Sequence, residues 1–83
     1  MVQFDHNAVA RTIRALRTER GLSQEVLSGL AGIARTHLTM IENGTKHANF
    51  ETLWKIACAL DLRPSELVER IEVEIENQRS GQN

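Results

Sequence analysis

The sequence predicts an all-α fold, a compact bundle of five helices in a single domain that spans residues 1–83. The chain has one proline and five glycines, so few positions interrupt a helix. Apolar residues recur at intervals of three and four along five segments, which is the helical period. A chain of 83 residues buries only about 60–65% of its unfolded surface, which suffices for one modest core.

The first two helices are predicted from their apolar stripes and their end signals. Helix 1 should span about Asn7–Arg20, with either Asp5 or Asn7 as its N-cap, and Gly21 should end it. Helix 2 should follow the N-cap Ser23 and run to about Ala31. The apolar contacts of helix 2 are expected from Val26, Leu27 and Leu30.

Helix 3 has a weak N-cap signal in the sequence, and helix 4 has a strong one. Helix 3 should span roughly Arg35–Asn43, but its N-cap position is Ala34, which has no side-chain acceptor. Asn49 is a favourable N-cap for helix 4 over Phe50–Leu60. The apolar residues at helical spacing in helix 4 are Phe50, Leu53, Ile56, Ala57 and Leu60.

Helix 5 should open at Pro64, since proline is favourable at the first helical position. It is a glutamate-rich helix with one apolar stripe, formed by Leu67, Val68, Ile71 and Ile75. Residues Gln78–Asn83 are expected to form a frayed polar tail.

Residues 23–44 have the layout that a DNA-binding helix-turn-helix requires. Ser28 is small enough for two helices to cross closely, and Gly32 tolerates the positive φ of a tight turn. Ile33, Leu38 and Ile41 should anchor helix 3 from behind, which leaves its front free to enter a groove. The function of this segment therefore depends on what the front of helix 3 faces.

Helix 3 and its neighbours supply the candidate contacts to DNA. Arg35 lies in the first turn, where its guanidinium can donate to guanine O6 and N7. Base contacts are assigned to the residues that project forward from helix 3, namely Arg35, Thr36, Thr39 and Met40. Phosphate contacts are assigned to Gln24, His37, Asn43, Lys46 and His47. The alternative is that these are ordinary solvated side chains of a surface helix.

The net charge of −1 argues mildly against nucleic acid, but the charge is unevenly distributed. Residues 1–22 carry four arginines against Asp5 and Glu19, whereas residues 63–83 carry three arginines against five glutamates. A polarised molecule of this kind can turn a basic face to phosphates while its acidic end points away.

Several other classes of protein are disfavoured. The chain has no glycine-rich phosphate loop, nucleophile motif or paired carboxylates, so it is not expected to be an enzyme. His37, His47 and Cys58 lack the spacing of a metal site, and no cofactor or small-molecule ligand is expected. No signal peptide and no apolar run near the roughly 20 residues of a membrane helix are found, so a cytoplasmic protein without membrane contact is expected.

The stretch L-S-Q-E…A-G-I…L-T-M-I-E-N-G…F-E-T-L-W-K-I-A-C-A-L-D-L-R-P-S-E-L resembles the Cro/phage-repressor (Xre-type) helix-turn-helix regulators. The segment R-T-H-L-T-M-I-E-N-G resembles, within that group, the controller proteins of restriction–modification systems. The resemblance implies a lambda-repressor-like fold and a regulator of transcription that binds double-stranded DNA. It implies a phosphate contact from Gln24, base contacts from Arg35, Thr36 and Met40, and a buried ion pair between Arg17 and Glu42. Arg17 also borders the apolar stripe of helix 1, where a half-buried arginine requires a partner.

The sequence departs from the family pattern at three positions. Ala34 lacks the usual capping side chain, Met40 often has a polar or basic counterpart, and Ala48 replaces a common proline. The first departure should weaken the start of helix 3, the second leaves base specificity at that position in doubt, and the third should loosen the loop before helix 4.

The resemblance further implies a homodimer on a pseudo-palindromic operator with half-sites about 34 Å apart. The dimer interface is predicted around Trp54, Leu62, Leu67, Ile71 and Ile75. The alternative is that these residues complete the core of one protomer, because a small domain needs every apolar residue.

Two further partners are considered. Glu25, by its position in the family, indicates a contact with RNA polymerase. The competing function is an antitoxin or protein-interaction module that binds a partner protein through the acidic helix 5.

Overall fold

The computed structural model describes residues 3–80, and in that range it contains five α-helices and no strand. The helices are α1 (His6–Glu19), α2 (Gln24–Ala31), α3 (Arg35–Glu42), α4 (Phe50–Ala59) and α5 (Pro64–Ser80). The all-α prediction is confirmed. Helix α5 continues through Ser80, so the fraying expected from Gln78 is not seen there, and residues 81–83 of the predicted tail lie outside the described range.

Three of the helices begin directly after a residue whose side chain forms an N-cap. The Asp5 carboxylate accepts a hydrogen bond from the Asn7 amide at 3.0 Å, which makes Asp5 the N-cap of α1. The Ser23 hydroxyl and the Asn49 side-chain oxygen accept from amides in the first turns of α2 and α4. Ala34 precedes α3 in an extended conformation and forms no side-chain cap, as predicted. Helix α3 therefore begins without the side-chain N-cap that stabilises the starts of α1, α2 and α4.

The turn between α2 and α3 is built on Gly32 and Ser28. Gly32 has φ of 71°, the left-handed conformation that lets α2 end abruptly. The amide of Ile33 donates to the carbonyl of Ser28 at 3.0 Å, which closes the turn. Ser28 is buried, 3% exposed, and its hydroxyl donates to the carbonyl of Glu25 at 3.0 Å. Gly32 has the positive φ predicted from the sequence, and the burial of Ser28 is consistent with its predicted place at the helix crossing.

The core is a single cluster formed by side chains from all five helices. Its fully buried members, each at most 1% exposed, include Ile13 and Leu16 on α1 and Leu38 on α3. Val26 and Leu30, which the sequence predicts to be apolar contacts of helix 2, lie on the surface instead, at 48% and 62% exposure. Phe50, at helical spacing with the apolar residues of α4, is 66% exposed.

Helix α5 packs against both α1 and α4. Leu67, Ile71 and Ile75 point into this contact and are buried within the protomer. The prediction that these three residues form a dimer interface is therefore wrong, because their apolar surface is already covered by α1 and α4. Val68, on the same predicted stripe, stays about half exposed. No helix among residues 3–80 is both long and apolar enough to span a bilayer.

Candidate nucleic-acid interface

Helix α3 turns one face to the core and leaves the other uncovered. Leu38 and Ile41 are buried beneath it. Exposed on the opposite side are Arg35, Thr36, Met40 and Asn43. We call these four residues, together with the half-buried Thr39, the outer face of α3. Because its members are short or flexible, this face allows the α3 backbone to approach another surface closely.

An ion pair fastens α3 to α1 behind this face. Arg17 Nε donates to Glu42 Oε2 at 2.7 Å, and Arg17 Nη2 donates to Glu42 Oε1 at 2.9 Å. A third guanidinium nitrogen, Nη1, donates to the carbonyl of Leu22 at 2.8 Å. Glu42 is only 7% exposed, so the pair that the resemblance implied lies at the edge of the core. The hydrogen bonds from Arg17 to Glu42 raise the pKa of Arg17 despite its burial, and the guanidinium therefore stays charged.

Gln24 extends this ion pair towards the outer face. Its Nε2 donates to Glu42 Oε1 at 3.0 Å, while its Oε1 accepts from the Thr39 hydroxyl at 2.9 Å. The sequence predicts separate roles for these two residues, a phosphate contact for Gln24 and a base contact for Thr39. The structure joins the two side chains, which α2 and α3 bring together across the turn.

The loop after α3 is held by its own side chains. The Asn43 side-chain oxygen accepts from the amide and the hydroxyl of Thr45, at 3.0 and 2.6 Å. Lys46 is exposed, and the His47 ring lies 4.2 Å from the His6 ring, centroid to centroid. His37 is half-buried on α3. The loop therefore places Lys46 and His47 beyond the C-terminal end of α3, on the side where α1 begins.

Arg14 is a charged residue at this surface that the site prediction left out. It is exposed on α1 and lines a cleft of about 150 Å³ with Gln24, Thr39 and Asn43. The sequence shows only that Arg14 points away from the stripe of helix 1. Its proximity to the end of α3 arises from the packing of α1 against α3, which the apolar pattern alone does not specify.

The remaining candidates lie elsewhere. Glu25 is exposed in the first turn of α2, and Cys58 is a free thiol on the outside of α4. Within residues 3–80 there is no group of three or more histidine, cysteine or acidic side chains arranged to hold a metal ion. Trp54 is 52% exposed on α4 and makes an edge contact with Phe50, with ring centroids 6.1 Å apart.

Comparison with known proteins identifies this arrangement. The family model described as helix-turn-helix, HTH_3, matches residues 13–67. The curated HTH-type transcriptional regulator y4dJ of Sinorhizobium fredii is 33% identical over 60 residues, which cover 72% of this chain and 78% of that protein. The regulator y4dL of the same organism is 35% identical over 54 residues, which cover 65% of this chain but only 28% of that protein.

Two solved structures of restriction–modification controller proteins are also similar. C.AhdI from Aeromonas hydrophila is 38% identical, with a TM-score of 0.73, over 76% of this chain and 96% of that one. C.Esp1396I, solved as a tetramer on its natural 35-base-pair operator, is 26% identical, with a TM-score of 0.81. That match covers 88% of this chain and 96% of the controller protein.

Proposed function

The chain belongs to the HTH_3 helix-turn-helix family, and we propose that it is a transcriptional regulator whose helix α3 reads a sequence in the major groove. The observation that carries this proposal is the uncovered outer face of α3, with Arg35 in its first turn. An arginine so placed can bind guanine O6 and N7 with two hydrogen bonds. Action on DNA also implies a cytoplasmic location.

Phosphate contacts are proposed on both sides of α3. On one side the free amides at the start of α2 can hold a phosphate, since a helix N-terminus favours an anion. Gln24 adds to this site because its amide nitrogen carries a second hydrogen besides the one given to Glu42. On the other side lie Lys46 and His47, while Asn43 and Arg14 line the cleft beside α3. These contacts would fix α3 in the groove without reading sequence.

We further propose a homodimer on a pseudo-palindromic operator. With Leu67, Ile71 and Ile75 in the core, we place the interface on exposed apolar residues of the same region: Trp54 with Phe50 on α4, Val68 on α5 and the half-buried Leu62 between the two helices. Aromatic anchors of this kind dominate many interfaces. The controller protein C.Esp1396I is a tetramer on its operator, which supports self-association in this chain as well.

The genes of a restriction–modification system, or the chain's own promoter, are the proposed targets, since C.AhdI is a controller of such a system. The competing function is an antitoxin or interaction module that binds a partner through α5. The exposed glutamates of that helix, Glu69, Glu72 and Glu76, favour a basic partner. Glu25 is exposed beside the proposed DNA-binding helix, where it is open to a contact with RNA polymerase.

Selection of binding sites from random duplexes tests the proposal. The purified full chain should enrich a two-fold related sequence whose half-site centres lie about one helical turn apart. Recovery of unrelated sequences, at moderate salt and at a protein concentration that allows dimers, would refute it. Stable copurification of a partner protein that binds through α5, without enrichment of any duplex, would favour the interaction module instead.

A further inference from the structure

The hydroxyl of Thr39 is held at the end of a chain of hydrogen bonds that begins in the core. The chain runs from Arg17 to Glu42, from Glu42 to Gln24, and from Gln24 to Thr39. Each link is between 2.7 and 3.0 Å long. The chemistry of each group decides which partner donates at the next link.

The direction of the chain is set by the guanidinium. Arg17 can only donate, and Glu42, bound to it as a carboxylate, can only accept. Gln24 must therefore turn its NH₂ group to Glu42, which leaves its carbonyl oxygen facing Thr39. A carbonyl oxygen cannot donate, so at that link Thr39 gives its hydroxyl hydrogen.

The second acceptor near Thr39 leads to the same orientation. The hydroxyl also lies 3.0 Å from the carbonyl of Arg35, one turn earlier in α3. A hydroxyl has a single hydrogen, and both of its acceptors belong to the protein. In either arrangement the hydrogen is donated within the protein, and the face of Thr39 that remains presents oxygen lone pairs and a methyl group.

We propose that this chain makes Thr39 an obligate acceptor towards DNA, so that it selects an exocyclic amine, the N6 of adenine or the N4 of cytosine. This inference rests on the proposed function, since it concerns how α3 reads the groove. Guanine O6, purine N7 and thymine O4 are acceptors and offer nothing to such a group. Binding them would require the hydroxyl hydrogen to turn outward, away from both of its protein acceptors, and the half-buried Gln24 oxygen would then have no hydrogen bond from Thr39.

Gln24 is thereby a positioning residue for sequence preference. In a Gln24→Leu variant, the Thr39 hydroxyl hydrogen can turn outward and lose only its hydrogen bond to the Arg35 carbonyl. That loss is small because the same carbonyl also accepts a backbone hydrogen bond within the helix. The preference for an amine at this base should then weaken, while specific binding through Arg35 remains.

A chemical double-mutant cycle tests this inference. The operator is first selected with the full wild-type chain, and the base pair facing Thr39 is the one whose preference changes most in Thr39→Val. At that pair, the amine is deleted by placing purine for adenine or pyrimidin-2-one for cytosine. Deletion should weaken wild-type binding about fivefold to tenfold and leave Thr39→Val binding within about twofold. In Gln24→Leu the loss should fall below about threefold.

Control variants separate the possible causes. Thr39→Ser keeps the hydroxyl and should retain the wild-type response to amine deletion. Replacement of purine N7 by carbon should affect Thr39→Val and wild type equally. A wild-type loss on removal of N7 that disappears in Thr39→Val would show that Thr39 donates, and would overturn the inference. Specific binding that is indifferent to amine deletion in every variant would also overturn it. Absence of any preferred duplex would instead refute the proposed function.

Discussion

Arg17 on α1 and Glu42 on α3 are joined by hydrogen bonds of 2.7 and 2.9 Å, so α3 is held to α1 behind its outer face as well as to α2 through the turn. Glu42 is nearly buried, and Gln24 also bonds to it. The position of α3 relative to α2 and α1 thus depends on one carboxylate and its arginine.

Arg17→Leu should destabilise the protein by about 3–5 kcal/mol, because it leaves the Glu42 charge buried without its partner. Urea unfolding followed by circular dichroism measures this loss. The double variant Arg17→Leu/Glu42→Leu should regain most of it, since no charge is then stranded. A single-variant loss within about 0.5 kcal/mol, as for an ordinary surface change, would contradict the structural role of the pair.

Near neutral pH, titration of Arg17 should not change the contribution of this ion pair to the free energy of unfolding. The contact raises the pKa of Arg17, so its contribution is complete below the unfolded arginine pKa and is lost only as the pH rises through the higher folded value. The difference in unfolding free energy between wild type and the Arg17→Leu/Glu42→Leu variant should show no fall from about pH 7 to pH 9. A progressive fall across that range would indicate that another group titrates with the pair.

Ala34→Ser should stabilise the protein by about 0.5–1 kcal/mol. Residue 34 already has the extended backbone of an N-cap but lacks an acceptor for the first amides of α3. The same substitution at the exposed Ala15 inside α1 is a matched control and should destabilise slightly, because serine is a weaker helix former than alanine. Equal effects of the two substitutions in thermal or urea unfolding would rule out the missing cap.

The sequence predicts the helices well because their ends are encoded locally. Asp5, Ser23 and Asn49 cap the helices that follow them, and Gly32 has the positive φ that the turn requires. These features depend on neighbours within a few residues, so one sequence is enough to find them.

Burial at the edges of the helices could not be predicted in the same way. Periodicity shows which side of a helix is apolar, but not how much of that side a neighbour covers. The sequence therefore places Ile71 and Ile75 in an interface although they are buried where α5 packs on α1 and α4, and it gives no sign that Phe50, at helical spacing with core residues of α4, is 66% exposed. The contact between Gln24 and Thr39 was missed for a related reason, since it requires the angle at which α2 and α3 cross.

Lys46→Ala should weaken binding to all duplexes alike, because a lysine–phosphate contact carries no sequence information. Because a bound dimer carries two copies of Lys46, the slope of log affinity against log salt should become shallower by about 1.8, about 0.9 for each lysine removed. Lys55→Ala is the matched control, since Lys55 is exposed on α4, away from the outer face of α3. Equal slopes for the two variants in fluorescence anisotropy titrations would remove Lys46 from the interface.

Trp54→Ala should weaken self-association by about 2 kcal/mol, since an exposed tryptophan is a strong anchor for an interface. Sedimentation equilibrium measures the dissociation constant. Leu30→Ala removes an apolar side chain from α2 that is 62% exposed, against 52% for Trp54, and should leave the constant unchanged. A dimer that survives Trp54→Ala and dissociates in Leu30→Ala would move the interface to α2.

The central claim, that α3 reads base edges through Arg35, is tested most directly by the ratio of affinities for the selected duplex and a scrambled one. Arg35→Ala should reduce the free-energy preference for the selected duplex by about 1–3 kcal/mol for each protomer of the bound dimer, with the unfolding midpoint unchanged. Arg79→Ala, at the far end of α5, is the matched control and should keep the wild-type ratio. An Arg35→Ala ratio equal to that of wild type, at the same salt concentration, would contradict the claim.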